Sequence, residues 1–196
     1  MYSIAAPHAK GKSAEDNIFA ANNRAIALAK EIGVENVTNA TVGSILDEDG
    51  SLVVLDVVKQ ELKNLTPPEF CAYAPIKGYD EFLKDCIDQC FGKSRPEGYI
   101  DACATPGGTG VLHHVVHNYS EPGDEVLITD WHWGAYDSLI DDNNRKVRTF
   151  SFLTSDGHFN AASFKENVED ILKKQDNIVI ILNGIANNPT GYLQSV

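Results

Sequence analysis

From residue 99 to residue 183 the chain alternates short apolar, β-branched runs with longer segments of helical period, and this rhythm restricts its fold more than any other feature. YIDACAT (99–105) reads as a strand, GTGVLHHVVHNY (108–119) as a helix and DEVLIT (124–129) as a strand. WGAYDSLI (133–140) reads as helical, KVRTFSF (146–152) as a strand, 160–174 as a helix capped by Asn160, and NIVIILN (177–183) as a fully buried strand. Parallel strands joined through helices are covered on both faces, so the expected class is α/β, a mostly parallel sheet between helical layers. Ligands of such sheets sit beyond the carboxyl ends of the strands, which singles out the loops after Ala104, Thr129 and Leu182.

Upstream the pattern is more helical. A helix over 13–33 is expected, capped by Ser13 with Asp16 at the capping-box position and stopped by Gly33. VTNATVG (37–43) is expected to run extended. After a DEDG turn (47–50), SLVVLDVVKQEL (51–62) reads as a helix capped by Ser51, and Thr66, Pro67 and Pro68 end that region. A further helix over 79–91 carries Phe82, Leu83 and Ile87 on a helical period and stops at Gly92, while the charge-rich segment 141–146 reads as a solvated turn.

Composition narrows the function classes. A net charge of −12 without a Lys/Arg cluster argues against nucleic-acid binding, which draws its affinity from clustered cations. Apolar runs such as 178–182 are far short of the roughly 20 residues of a membrane span, and the N-terminus turns polar too early for a secretory signal. Cys71, Cys86, Cys90 and Cys103 are not spaced as a disulfide framework and suit a reducing cytoplasm. Cys86 and Cys90, or His113 and His117, lie one helical turn apart, but neither pair has the further ligands of a zinc site, so no metal is expected.

The three loops carry residue types that bind ligands. TPGGTG (105–110) opens a helix, where free amides and the helix dipole can seat an anion; a tight turn is the plainer alternative. The Lys and hydroxyl of a P-loop and the third glycine of a dinucleotide fingerprint are both missing. DWHWGAY places two tryptophans at the ligand edge, where Trp133 can stack on a flat cofactor or both rings can simply pack under loops. In NGIANNPTGY, Asn188 stands before Pro189, and Gly191 permits a sharp turn that aims the Asn188 amide into the crevice or forms only a turn.

The stretches TVGSILDEDG (41–50), YAPIKGYDEF (73–82), ATPGGTGVL (104–112), WGAY (133–136) and NNPTGY (187–192), in this order and spacing, resemble the pyridoxal-phosphate-dependent aminotransferases of class I/II, fold type I, in their aspartate and aromatic branch. The resemblance implies a chain made of an N-terminal arm (1–12), part of a small domain (13–50) and an incomplete cofactor-binding large domain (51–196). It implies that Gly108 and Thr109 hold the phosphate of pyridoxal 5'-phosphate, that Trp133 stacks on the pyridine ring and that Asn188 bonds the ring oxygen. Gly43, with Trp133 and Asn188, would meet the substrate, and Tyr73 would reach the phosphate of the neighbouring subunit of a homodimer. The protein groups orient the cofactor, which supplies the electron sink.

The sequence departs from the family pattern at Trp131, where relatives often have Pro, and at Ala135 and Tyr136, where many have Asn and His. The family's Schiff-base lysine, pyridine-pairing aspartate and carboxylate-gripping arginine all lie beyond the NPTG motif. None of this chain's lysines stands in a matching motif, so no catalytic residue is assigned and the chain alone is expected not to turn over. The function implied is amino-group transfer between an amino acid and a 2-oxo acid in a cytoplasmic enzyme. A lyase or synthase of the same fold, or a noncatalytic fragment, are the alternatives. In that fold the strand over 100–104 pairs with strands supplied later in the chain, so the chain alone is expected to be unstable or aggregated, with a split sheet or an apolar opening beside Gly108 and Asn188.

Overall fold

The structure, a computed structural model, describes residue 4, residues 6–10 and residues 17–193. It divides into two compact units, Met1–Ala72 and Tyr73–Val196. The cap expected from Ser13 and Asp16 lies outside the described residues.

In the first unit α1 (Asn17–Ile32) ends where Gly33 turns to φ 99° and donates its amide to Ala29. The extended stretch after it is tied back to α1, since Asn39 Nδ2 donates to Asn22 Oδ1 at 2.8 Å and Thr41 Oγ1 to Asn39 Oδ1 at 2.7 Å. The DEDG turn closes a small antiparallel pairing of Leu46 with Leu52, and Val53 N donates to Ile45 O. This pairing corrects the helix expected from Ser51. The backbone of 51–53 is taken up across the turn, where β-branched Val53 and Val54 sit comfortably, and α2 runs only over Asp56–Asn64. The preceding helix already ends at Leu65, and Thr66 with Pro67 and Pro68 starts a short helix. The Glu69 carboxylate accepts from the Thr66 amide at 2.7 Å and hydroxyl at 2.6 Å, opening α3 (Pro67–Cys71).

The buried core lies in the second unit. After α4 (Asp80–Phe91), α5 (Gly107–Tyr119) leads to β1 (Glu125–Thr129), α6 (Ala135–Asp142) to β2 (Lys146–Phe150), and α7 (Ala161–Ile171) to β3 (Val179–Ile181). The sheet has the order β2-β1-β3 and is parallel throughout, with Val126 opposite both Val147 and Val179. Strand alternation sends Val126 and Ile128 to one face, against Val116 of α5 and Tyr136 and Ile140 of α6. Leu127 goes to the other face, against Phe150, Phe152 and Ile171 of α7. Asn160 caps α7 as expected, its side chain accepting from Ser163 N.

Three expectations are corrected here. Residues 99–105 form no strand: a strand needs a ladder, and instead Ala104 N donates to Lys77 O, Ala102 N to the Asp101 carboxylate and Gly107 N to Thr105 O, with Tyr99 exposed. The run 177–183 is not fully buried. Three of its residues, Val179–Ile181, form a strand that among the described residues pairs with β1 alone, and Leu182 is 49% exposed beyond its end. Finally, the charge-rich turn is not solvated throughout, because Asn143 and Arg145 are buried in it.

Candidate functional site

Residues 105–110 do form the start of a helix. Pro106 caps α5 and has no N–H, Gly107 N donates to Thr105 O, and Gly110 N closes the first helical bond to Pro106 O. This leaves the amides of Gly108 and Thr109 without a helix acceptor, at the positive end of a 13-residue dipole. Gly108 is exposed, and beyond its chain neighbours and its own helix backbone no heavy atom lies within 4 Å of the place a Cβ would take. Gly110 is packed: a Cβ there would stand 2.6 Å from Pro106 Cδ, so glycine lets the loop fold onto its own helix.

The loop is anchored from behind by the YAPIKGYDEF stretch. Gly78, at φ 108°, comes so close to Ala104 that an added Cβ would lie 2.9 Å from the Ala104 methyl. Lys77 Nζ bridges Asp101 Oδ1 at 2.8 Å and Oδ2 at 3.0 Å. The Lys77 ammonium, then the Ala102 amide and the Tyr99 hydroxyl, hold the Asp101 carboxyl below the ordinary 3.8, and the same bond raises Lys77 above 10.5. The Asp101 contribution is therefore full above its unfolded-state value and lost as pH falls through the lower folded one. That of Lys77 is full below 10.5 and lost as pH rises through its raised folded value. Both side chains are half exposed, so the effect is small. Denaturant titrations of Asp101→Asn and the parent chain should differ by a constant amount between about pH 5 and 9 and converge in acid. An undiminished difference at about pH 2 contradicts the bridge.

The C-terminus of α5 packs at the amino end of the sheet, where Arg145, just before β2, donates to the carbonyls of His117 and Ser120. A helix of 13 residues is about 20 Å long, so its N-terminus reaches the carboxyl edge of the strands. At that edge Trp133 is half-buried, edge-on to Tyr136 with ring centroids 5.7 Å apart, and packed on the core cluster that also receives Leu112 of α5. Trp131 is 58% exposed. In the loop after β3, Asn188 is exposed and joined to Pro189 by a cis peptide.

The structure thus brings Gly108, Thr109, Trp133 and Asn188 to one edge of the sheet. Tyr73 belongs to the same unit and is fully exposed, whereas Gly43 lies in the first unit, exposed and with open space around it. His113 and His117 stack at 6.0 Å on the exposed side of α5, and the described residues hold no group of three metal-ligating side chains.

Two residues at the edge escaped the sequence reading. Asn187 is 1% exposed, and its Oδ1 accepts from Thr190 Oγ1 at 2.8 Å and Thr190 N at 3.3 Å, pinning the turn that presents Asn188. The doubled Asn was its only signal. His132 contacts Thr129 O at 2.9 Å through Nδ1 and Asp137 at 3.1 Å through Nε2, a placement without a local sequence signature.

Among the described residues, a three-stranded parallel sheet between α5 and α6 on one face and α7 on the other, with the N-terminus of α5 at its carboxyl edge, has the architecture of the fold type I transferases. Aspartate aminotransferase from Saccharomyces cerevisiae cytoplasm superposes with a TM-score of 0.69 over 91% of this chain at 19% identity, a likeness of fold. The family model described as aminotransferase class I and II matches residues 35–195, and the chain belongs to that family. An aminotransferase from Anaerococcus prevotii superposes with a TM-score of 0.94 at 35% identity, covering 99% of this chain and 47% of that one. The chloroplastic aspartate aminotransferase of Arabidopsis thaliana is 29% identical over 78% of this chain and 35% of its own length. The mitochondrial one of Dictyostelium discoideum is 27% identical over 92% and 42%. The chain therefore spans less than half the length of these relatives.

Pyridoxal 5'-phosphate is the cofactor expected of this family. The edge fits such a group, because Gly108 and Thr109, whose amides have no helix acceptor, are both exposed in the first turn of α5 and a half-buried indole stands at the same edge.

Proposed function

We propose that the protein transfers an amino group between an amino acid of aspartate or aromatic type and a 2-oxo acid, using pyridoxal 5'-phosphate. The observation that carries the reading is the pair of exposed residues Gly108 and Thr109, whose amides have no helix acceptor at the N-terminus of α5, in a chain of the aminotransferase family. The branch is supported by relatives named aspartate aminotransferase and, in Pseudomonas aeruginosa, aromatic-amino-acid aminotransferase. When bound, the cofactor supplies the electron sink for the amine.

In this reading Gly108 and Thr109 donate their amides to the cofactor phosphate, Trp133 lies against its ring, and the Asn188 amide donates to the ring oxygen. Trp133 and Asn188 are the substrate contacts of this reading in the second unit, and Gly43, in the first unit, is assigned to the substrate carboxylate through its backbone by the family resemblance alone. Tyr73, fully exposed, serves the site of the second subunit of a homodimer. Residues 1–12 are the arm, 13–50 part of the small domain and 51–196 part of the large one. No described helix is long and apolar enough to cross a membrane, and cytoplasmic location is part of the proposal.

Absorbance titration of the chain with pyridoxal phosphate, before and after borohydride, tests the reading. Saturable binding that dialysis reverses even after borohydride is expected, because no lysine here is assigned to hold the cofactor. Trp133→Ala should weaken that binding about tenfold or more, whereas Trp131→Ala should change it less than about twofold. Equal losses, or the reverse order, would falsify the assignment of Trp133.

A further inference from the structure

We propose that His132 is a positioning residue that fixes the plane of Trp133 through Tyr136. The inference rests on the reading above that Trp133 meets the cofactor ring. Its geometry is independent of that reading.

The His132 ring bridges the two elements that its loop connects. Nδ1 stands 2.9 Å from the carbonyl of Thr129, the last residue of β1, and Nε2 stands 3.1 and 3.2 Å from the carboxylate oxygens of Asp137, in the first turn of α6. Both partners can only accept, so the ring donates to one of them when neutral and to both as imidazolium, and contacts at its two nitrogens restrict a plane that packing alone leaves free to rotate. Only 14% of the side chain is exposed.

The plane is passed on. Tyr136 lies nearly parallel to the imidazole, 11° between planes and 6.2 Å between centroids, and Trp133 meets Tyr136 edge-on at 84°. Asn183 Nδ2 donates to the Tyr136 hydroxyl at 3.4 Å, so the loop after β3 steadies the far end of the same ring. Thr129 Oγ1, donating to Trp131 O at 2.6 Å, holds the turn before it. Both nitrogens of His132 are occupied by protein oxygens, which leaves neither to move a proton on a ligand. Its role is orientation.

The sequence holds two tryptophans, so in a Trp131→Phe chain the emission of Trp133 stands alone. In that background we expect His132→Ala and Asp137→Ala each to lower the fluorescence anisotropy of Trp133 and to weaken its quenching by pyridoxal phosphate about tenfold, and the double variant to lose no more than the worse single one. His132→Phe, which keeps the ring stack but not the polar contacts, should behave like His132→Ala. Asp137→Asn, which keeps an acceptor oxygen, should stay within about threefold of the parent. Affinity for inorganic phosphate, read from the Gly108 and Thr109 amide resonances, should hold within about twofold throughout.

Parent-like anisotropy in His132→Phe or Asp137→Ala overturns the proposal, and so does a loss of phosphate affinity as large as the loss of quenching, which marks general loosening. If pyridoxal phosphate fails to quench Trp133 in the parent chain, the cofactor reading falls and the anisotropy comparison alone decides the role of His132. Asp137 is 55% exposed, so its variants remain informative even if those of His132 do not fold.

Discussion

Arg145→Ala is expected to destabilise the second unit by about 3–5 kcal/mol. Arg145 is 8% exposed and donates through Nε to Ser120 Oγ at 3.0 Å, through Nη1 to the Asn143 carbonyl, and through Nη2 to the carbonyls of Ser120 and His117. These oxygens belong to the last turn of α5 and the turn after α6, so one guanidinium fork joins the ends of two helices where their carbonyls lack intrahelical donors. Alanine strands buried carbonyls at about 1–3 kcal/mol each, less than additively because they share one donor. Lysine keeps the charge but cannot span the fork, and an intermediate loss of about 2–3 kcal/mol is expected for it. Both tryptophans lie in the second unit, so denaturant titration followed by tryptophan emission reads its unfolding. A loss below about 1 kcal/mol for Arg145→Ala removes the fork from the account of this fold.

What the sequence made legible, and what it hid, divides along a physical line. β1, β2, α5 and α7 could be read locally, because alternation, helical period and a cap such as Asn160 are properties of neighbours in the chain. Residues 99–105 have the composition of a strand, but strand formation depends on a partner that composition does not display. Residues 51–55 were misread because a cap-like serine stands before an apolar run, whereas the DEDG turn folds that run back against Ile45 and Leu46.

The candidate site shows the same division. Gly108, Thr109, Trp133 and Asn188 could be named because each sits in a loop of conspicuous composition. Their supports were silent: Asn187 looked like the lesser of two asparagines, Arg145 like part of a solvated turn, and His132 acquires meaning only when Asp137 and the end of β1 arrive on either side of it. Burial of a polar side chain among specific partners is a tertiary property, so the residues that orient a site are harder to read than those that line it.

Phe150→Ala is expected to cost about 3–5 kcal/mol and to disturb the loop that carries Trp133. Phe150 is 1% exposed and meets Phe164 at 5.3 Å and Phe159 at 6.0 Å between centroids, both at steep interplanar angles, beneath α7. Removing the ring opens a cavity between sheet and helix that Phe159 and Phe164 can fill only in part. The backbone of the same residue accepts from Asp130 N at 2.9 Å, and Asp130 Oδ1 in turn accepts from Phe152 N at 2.9 Å and Trp131 N at 3.0 Å. The end of β2 therefore fixes the entry to the loop over 130–134, and collapse around a missing Phe150 shifts that entry. Ile171→Ala, which opens a cavity in the same cluster from the helix side, should cost about 2–5 kcal/mol without moving the loop. Native-state Trp133 emission, measured in the Trp131→Phe chain, should accordingly change with Phe150→Ala and not with Ile171→Ala. An equal response to both cavities would mean that the loop is set by the general packing of that face, with no special path from the end of β2.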